Sequence, residues 1–311
     1  MINDMRNNLL KLFVCTIALC IAAFVSTAQT KQSSHDFSAF DALEVDYDFN
    51  VRVLKSNKYS ISLNVENSLK DYIQAYVKNH TLYITLDEKS MPSDLKKQFR
   101  GRKAAAPVLD ATVYLPEPLS SVKMSGASTL SIEDDMECRE FILDLSENAV
   151  VSRLVVDAAN VNVTMSGKAK ADLVVYADNI KVNAAGNSIL GLEQDSESLE
   201  IVGGASAQID AEGETLDAVL TVSGSSKTSL KGKTNNLTVT GSGSSSVDAI
   251  NFKTSDCTVK LSNSSKVTEA ATEALHIDLS GNSTLVFDGD PVIDIINVKS
   301  STVQRYSNAR R

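Results

Sequence analysis

The sequence predicts an all-β protein whose larger part is a right-handed parallel β-helix, a solenoid of about ten coils of ~19 residues, with an N-terminal antiparallel β cap. Three observations predict it. Between Leu119 and Val303 a phrase recurs in which apolar and polar residues alternate, a tight Ser/Gly/Asn turn follows, and alternation resumes, as at Val122-Lys-Met-Ser-Gly-Ala-Ser, Leu220-Thr-Val-Ser-Gly-Ser-Ser and Ile277-Asp-Leu-Ser-Gly-Asn-Ser. The turns are read at Gly126, Glu147, Gly167, Gly186, Gly203, Gly224, Gly241, Asn263, Gly281 and Ser300, in steps of 17 to 22 residues. Hydrophobic residues make up 43% of the chain but aromatic ones only 5%, with no Trp, so the core is aliphatic and narrow.

The first element is an export signal. Arg6 and Lys11 precede the apolar run Leu12 to Val25, and Ser26-Thr27-Ala28 offers the small residues that a signal peptidase reads, so residues 1–28 are expected to be cleaved. Leu19 is too large for a lipoprotein signal at Cys20, and the run is shorter than the roughly 20 residues of a membrane span. Residues 29–41 are polar and without period, and read as a flexible tether.

Residues 42–115 form the expected cap. Leu43, Val45, Tyr47, Phe49, Val51 and Val53 alternate, and Tyr59, Ile61, Leu63 and Val65 resume after Ser56-Asn57-Lys58, which predicts an antiparallel hairpin. A second hairpin is expected around Asn79-His80, residues that tolerate unusual backbone angles, so His80 reads as a turn residue. Residues 89–107 carry Lys89, Lys96, Lys97, Arg100, Arg102 and Lys103 against Asp94 alone, and read as a solvated basic loop. Pro116 and Pro118 mark the passage into the repeats, residues 116–304.

About twenty extended residues trace a flattened or triangular loop. In the unit Leu237 to Asp256, Leu237 and Val239 point inward, Gly241 to Ser244 turn the corner, and Val247, Ile250 and Phe252 serve the other sides. One coil's few aliphatic side chains cannot offset the ordering of its backbone, so stability must come from neighbours. Parallel crossovers favour the right-handed sense. The polar, basic tail 305–311, with Arg305, Tyr306, Asn308, Arg310 and Arg311, is expected to close the far end.

The stretch Leu119-Ser-Ser-Val-Lys-Met-Ser-Gly-Ala-Ser, the recurring Ser-Gly-x-Ser/Ala turns, and the block Leu82-Tyr-Ile-Thr-Leu with Val113-Tyr-Leu-Pro resemble the family described as putative autotransporter adhesin, head GIN domain. That resemblance implies a β-helical fold, export to the cell envelope or surface, and a role in adhesion. It carries over no catalytic residue.

Removal of residues 1–28 takes away Arg6, Lys11 and Asp4 and shifts the formal charge from -9 to -10. An acidic chain suits neither nucleic acid nor anionic lipid. Cys138 and Cys257 lie six coils apart, on the order of 30 Å, and are expected to stay unpaired.

The expected function is that of an exported, non-enzymatic envelope or surface module that binds a glycan or protein, with Ser223 to Ser229 and Ser242 to Ser246 as candidate polar ladders. The alternatives are a polysaccharide lyase or glycosidase and a purely structural spacer. Enzyme chemistry would need clustered carboxylates. The aspartates Asp144, Asp172, Asp210, Asp248 and Asp278 are scattered singly, and His276 is the one histidine of the repeats. Glu133-Asp134-Asp135 and Asp288-Gly-Asp290 read as acidic corners, and Lys227, Lys231 and Lys233 as a solvated basic run. Neither acidic group matches a calcium loop. No catalytic, cofactor-binding or metal residue is assigned.

Overall fold

A computed structural model describes residues 30–99 and 106–306. The expected signal, residues 1–28, lies outside them. In order the elements are β1 (Thr30–Asp36), β2 (Ala42–Val45), β3 (Asn50–Lys55), β4 (Ser60–Glu66), β5 (Ile73–Lys78), β6 (Thr81–Leu86), α1 (Ser93–Phe99), β7 (Leu109–Leu115), β8 (Ser121–Met124) and β9 (Thr129–Ile132). Eight long strands follow: β10 (Met136–Leu145), β11 (Val150–Met165), β12 (Lys170–Ala184), β13 (Ile189–Gly203), β14 (Gln208–Val222), β15 (Lys227–Gly241), β16 (Ser246–Leu261) and β17 (Lys266–Ser280). The last coil is made by β18 (Thr284–Asp288), β19 (Val292–Lys299) and β20 (Thr302–Arg305).

From β10 to β17 each strand pairs in parallel with the next, as a β-solenoid of about ten turns requires. A fully developed strand bends midway. Its first half lies in one sheet, its second half in another, and a tight corner leads to the next coil. Along β13 the alternation shows this: Leu190, Leu192, Gln194 and Ser196 point in, Glu197 and Ser198 fall at the bend, and Leu199, Ile201 and Gly203 point in again.

The corners stack in one column of eleven residues with left-handed backbone: Tyr47, Gly126, Glu147, Gly167, Gly186, Ala205, Gly224, Gly243, Asn263, Gly281 and Ser300, all with φ between 52° and 73°. Glu147, Asn263 and Ser300 therefore keep the same corner geometry as the glycines. Two expected corners are corrected. Gly203 and Gly241 are buried, inward members of the second sheet, and the true corners are Ala205 and Gly243. Gly241 serves packing: a Cβ there would meet Leu261 Cδ2 at 2.8 Å. Ile250 is likewise half-exposed at an irregularity, while Ala249 and Phe252 take the inward places.

Two residues past the nine corners from Gly126 to Gly281 stands a small buried residue, Ser128, Ala149, Ala169, Ser188, Ala207, Ser226, Ser245, Ser265 or Ser283. The serine hydroxyls of 226, 245 and 265 each donate at 2.8 Å to the carbonyl three residues back. The corner is thereby closed by its own side chain.

At the N-terminal end, β2 and β3 form a parallel coil between two others, β6 and β7 on one side and β8 and β9 on the other. The hairpin at Asn79-His80 is present: β5 and β6 are antiparallel, with φ of 50° and 60° in the turn. The expected β3–β4 hairpin is not. Strand β7 lies between them, parallel to β3 and antiparallel to β4. Alternation says that a strand has one buried face, and Ala111 and Val113 of β7 match Val51 and Val53 in register, so β7 takes that place.

The tether is also corrected. Thr30–Asp36 pairs antiparallel with β4, and Phe40 is buried against Tyr59, with ring centroids 5.0 Å apart. An edge strand needs backbone bonds but no apolar face of its own, so polar β1 is suited to the rim. Within the expected basic loop, Leu95 and Phe99 pack on the core from one side of α1 while Lys97 pairs with Asp94 at 3.3 Å outside. Arg100, Arg102 and Lys103 lie outside the described residues.

Arg305 turns back to Asp290 and the Gly289 carbonyl, and residues 307–311 lie outside the described residues. Strand β19 is exposed along its whole length.

Candidate binding surface

The second sheet carries an outward face of regularly registered columns. Its inward columns are continuous, for instance Leu43, Val122, Leu143, Val163, Val182, Ile201, Leu220, Val239, Val259 and Ile277. Parallel register then fixes the outward columns at the inter-strand spacing of about 4.8 Å. One runs Asn162, Lys181, Glu200, Val219, Thr238, Thr258 and His276, and its neighbour runs Thr164, Asn183, Val202, Thr221, Thr240, Lys260 and Asp278. Thr221, Thr238, Thr240 and Thr258 gather their hydroxyls and methyls into one patch.

Side chains bond along the first of these columns and along the bend column Asn160, Asn179, Ser198, Asp217 and Asn236. Asn179 donates to Asn160 at 3.1 Å, Asn236 to Asp217 at 2.7 Å, and Lys181 pairs with Glu200 at 3.0 Å. Each bond links adjacent coils and holds a long side chain flat. Sequence reading missed the threonine patch, because outward residues carry no hydrophobic period; aligning the inward pairs would have found it.

The expected candidates fall elsewhere. In the serine stretches, Ser226 and Ser245 are buried corner closers, while Ser223 and Ser242 supply the carbonyls that accept from them. His80 is a turn residue, and His276 Nδ1 lies 3.1 Å from Asp294. Lys231 and Lys233 are drawn into columns with Glu212 and Glu214, at 3.9 and 2.7 Å. Glu133 accepts from Arg52 Nε at 2.9 Å and Asp134 from the Lys55 backbone at 3.2 Å, so this acidic corner ties β3 to β9. On the first sheet Arg153 reaches across β12 to both carboxylate oxygens of Glu193, at 3.1 and 3.3 Å. The guanidinium holds Glu193 below the usual carboxylate range.

Surface grooves are shallow. The groove where the cap meets the repeats holds about 530 Å³ and is lined by Lys55, Pro116, Glu117, Asp134, Asp135 and Glu137. Another on the first sheet, between Asp172, Glu193, Asp210, Glu212 and Lys231, holds about 400 Å³. Among the described residues no three metal-binding side chains converge, and no helix is long and apolar enough to cross a membrane. Cys138 and Cys257 are free.

One charged group breaks the aliphatic core. Glu269 occupies an inward position between Ala249 and Phe287 and is fully buried. Neither carboxyl oxygen meets a partner of full hydrogen-bond geometry. Burial pushes its pKa up to about 8, against a smaller opposing effect of the Cys257 thiol beside it. The same burial pushes the Cys257 thiol well up.

Fold and surface together define a parallel β-solenoid capped by antiparallel strands, with its chemistry in ordered outward columns. The chain belongs to the family described as putative auto-transporter adhesin, head GIN domain, whose sequence pattern matches residues 39–194 and 190–291. Among solved structures it is similar to a putative adhesin from Parabacteroides merdae ATCC 43184, at 12% identity and a TM-score of 0.51, over 90% of this chain and 98% of that one. It is also similar to a putative adhesin from Parabacteroides distasonis ATCC 8503, at 13% identity and a TM-score of 0.48, over the same shares. The first likeness, at 12% identity, shows the fold alone. A comparison with curated proteins gives no match.

Proposed function

We propose that this chain is an exported, non-enzymatic module of the cell envelope or surface that binds a glycan or protein through the outward face of its second sheet. The observation that carries this reading is the column register itself. It holds Thr221, Thr238, Thr240 and Thr258 in adjacent columns of paired strands, a preorganised polar surface that a ligand can meet without first ordering it. Membership of an adhesin-described family supports the same reading. Export rests on the basic, apolar and small-residue order of residues 1–28.

The test begins on intact cells. Protease shaving should cleave the protein at the surface, and sequencing of the recovered chain should start at Gln29. Purified protein should bind members of a panel of glycans, matrix proteins and cell surfaces. The pair Thr238→Arg with Thr240→Arg should weaken that binding about tenfold or more while leaving the thermal melt unchanged. Protection until the outer envelope is opened sinks the surface role. Failure to bind any panel member at micromolar protein leaves the spacer as the better reading.

A further inference from the structure

The two ends of the solenoid differ in kind. At the N-terminal end antiparallel strands close the core and the rim strand β1 reads Thr-Lys-Gln-Ser-Ser-His-Asp. At the other end β19 reads Val-Ile-Asp-Ile-Ile-Asn-Val-Lys. Its Val292, Ile293, Ile295, Ile296 and Val298 are 77, 44, 60, 62 and 39% exposed. Ile293, Ile295 and Val298 continue the inward columns of Leu275, Ile277 and Leu279 at the end of the second sheet, beside β20, whose Val303 packs on the core. Among the described residues β19 is paired along one edge only, with β17. A long apolar strand edge without proline or an inward charge is what natural sheets avoid unless something covers it.

We infer that β19 of one molecule pairs antiparallel with β19 of a second copy, joining two solenoids end to end about a two-fold axis. The strand is self-complementary in that arrangement. With Asp294 set opposite Lys299 of the second copy, Ile295 falls opposite its Val298, inward against inward, and the symmetry repeats both contacts. Among the described residues Lys299 makes no ion pair, and Asp294 meets His276 alone, at 3.1 Å. Stacking the C-terminal end on an N-terminal end would instead set β19 against β5, the free edge of the second sheet there, and would leave an open end on every copy added. The two-fold contact pairs Asp294 with Lys299 twice and closes on itself, each core covering the other. Such a dimer would present two copies of the outward face on one rigid rod.

Sedimentation and light scattering of the exported chain at micromolar concentration should give twice the monomer mass. Ile295→Lys should return it to monomer. Asp294→Lys and Lys299→Asp should each weaken the dimer about tenfold, and the double exchange should restore it, because the ion pair is rebuilt with its signs reversed. All these positions are exposed in the single chain, so circular dichroism melts should keep the wild-type midpoint at low concentration. A wild-type chain that stays monomeric overturns the proposal. So does a dimer that survives Ile295→Lys, or an exchange pair that fails to restore what the single variants lose.

Discussion

The corner column sets the same backbone demand eleven times and meets it with six residue types, so single residues report directly on strain. Ala205 sits at φ 52° with no side-chain atom able to bond its own backbone. An L-residue loses about 1 to 2 kcal/mol in that region, and glycine gives back up to about 1 kcal/mol through unfolded-chain freedom. Ala205→Gly should therefore stabilise the fold by about 0.5 kcal/mol, read as a small rise in melting temperature. Gly213 is the opposite case: its φ is 144°, and a Cβ there would stand 1.7 Å from the Gln194 carbonyl oxygen. Backbone cannot move aside as a side chain can, so Gly213→Ala should cost on the order of 3 kcal/mol or more. Glu269 adds a pH dependence. Its folded pKa of about 8 stands above the ordinary 4.5 of a free glutamate, so the folded chain holds a proton that the unfolded chain releases between those limits. Stability from this group is fully present below about pH 4.5 and falls as pH rises to about 8, by on the order of 5 kcal/mol in all. Glu269→Gln keeps the shape without the charge. Melts taken across this window should fall with pH for the wild type and run flat for the variant, with the variant ahead at pH 8.5; parallel curves would contradict the burial argument.

At the scale of elements, legibility followed from what each element needs its side chains to do. The hairpin of β5 and β6 was legible because Asn79 and His80 are turn chemistry at the right spacing between two alternating runs. The coils were legible because inward columns impose a hydrophobic period and corners impose small residues. By contrast, β3 and β4 looked like a hairpin, yet period two names a buried face and not a partner, and β7 could offer a parallel match. Strand β1 was illegible for a different reason. A rim strand bonds through its backbone and leaves its side chains free, so Thr-Lys-Gln-Ser-Ser-His-Asp carries no alternation to detect. Gly203 and Gly241 misled because glycine answers two needs, positive φ at a corner and room for Val222 or Leu261 in the core. The candidate surface was hidden by the same logic as β1. Thr238 and Thr258 become neighbours only when the register of β15 on β16 is known to the residue.

Taken whole, the molecule is a one-dimensional stack, and its stability should behave as a sum over coils and the contacts between neighbours. The regular part from Gly167 to Gly243 advances in steps of 19 residues and keeps one register throughout. Removal of one whole step should therefore rejoin the stack without disturbing it. Deleting residues 187–205 would bring Gly186 directly before Ser206 and Ala207, which restores a left-handed glycine followed two residues later by a small buried residue. Strand β12 would then stack on β14, with Ala171 against Ile209, Leu173 against Ala211, Ile180 against Ala218, Val182 against Leu220 and Ala184 against Val222. These five inward pairs remain apolar, and the other two inward places set Val175 against Gly213 and Ala177 against Thr215. Such a protein should keep its β-sheet circular dichroism and unfold in one transition a few degrees lower, having lost one coil and one interface. Deleting only 187–196 removes about half a step, points the next strand's inward residues at the wrong sheet, and should abolish folding. If the half-step deletion folds as well as the full one, the corner column does not set the register, and the stack is held by sheet pairing alone.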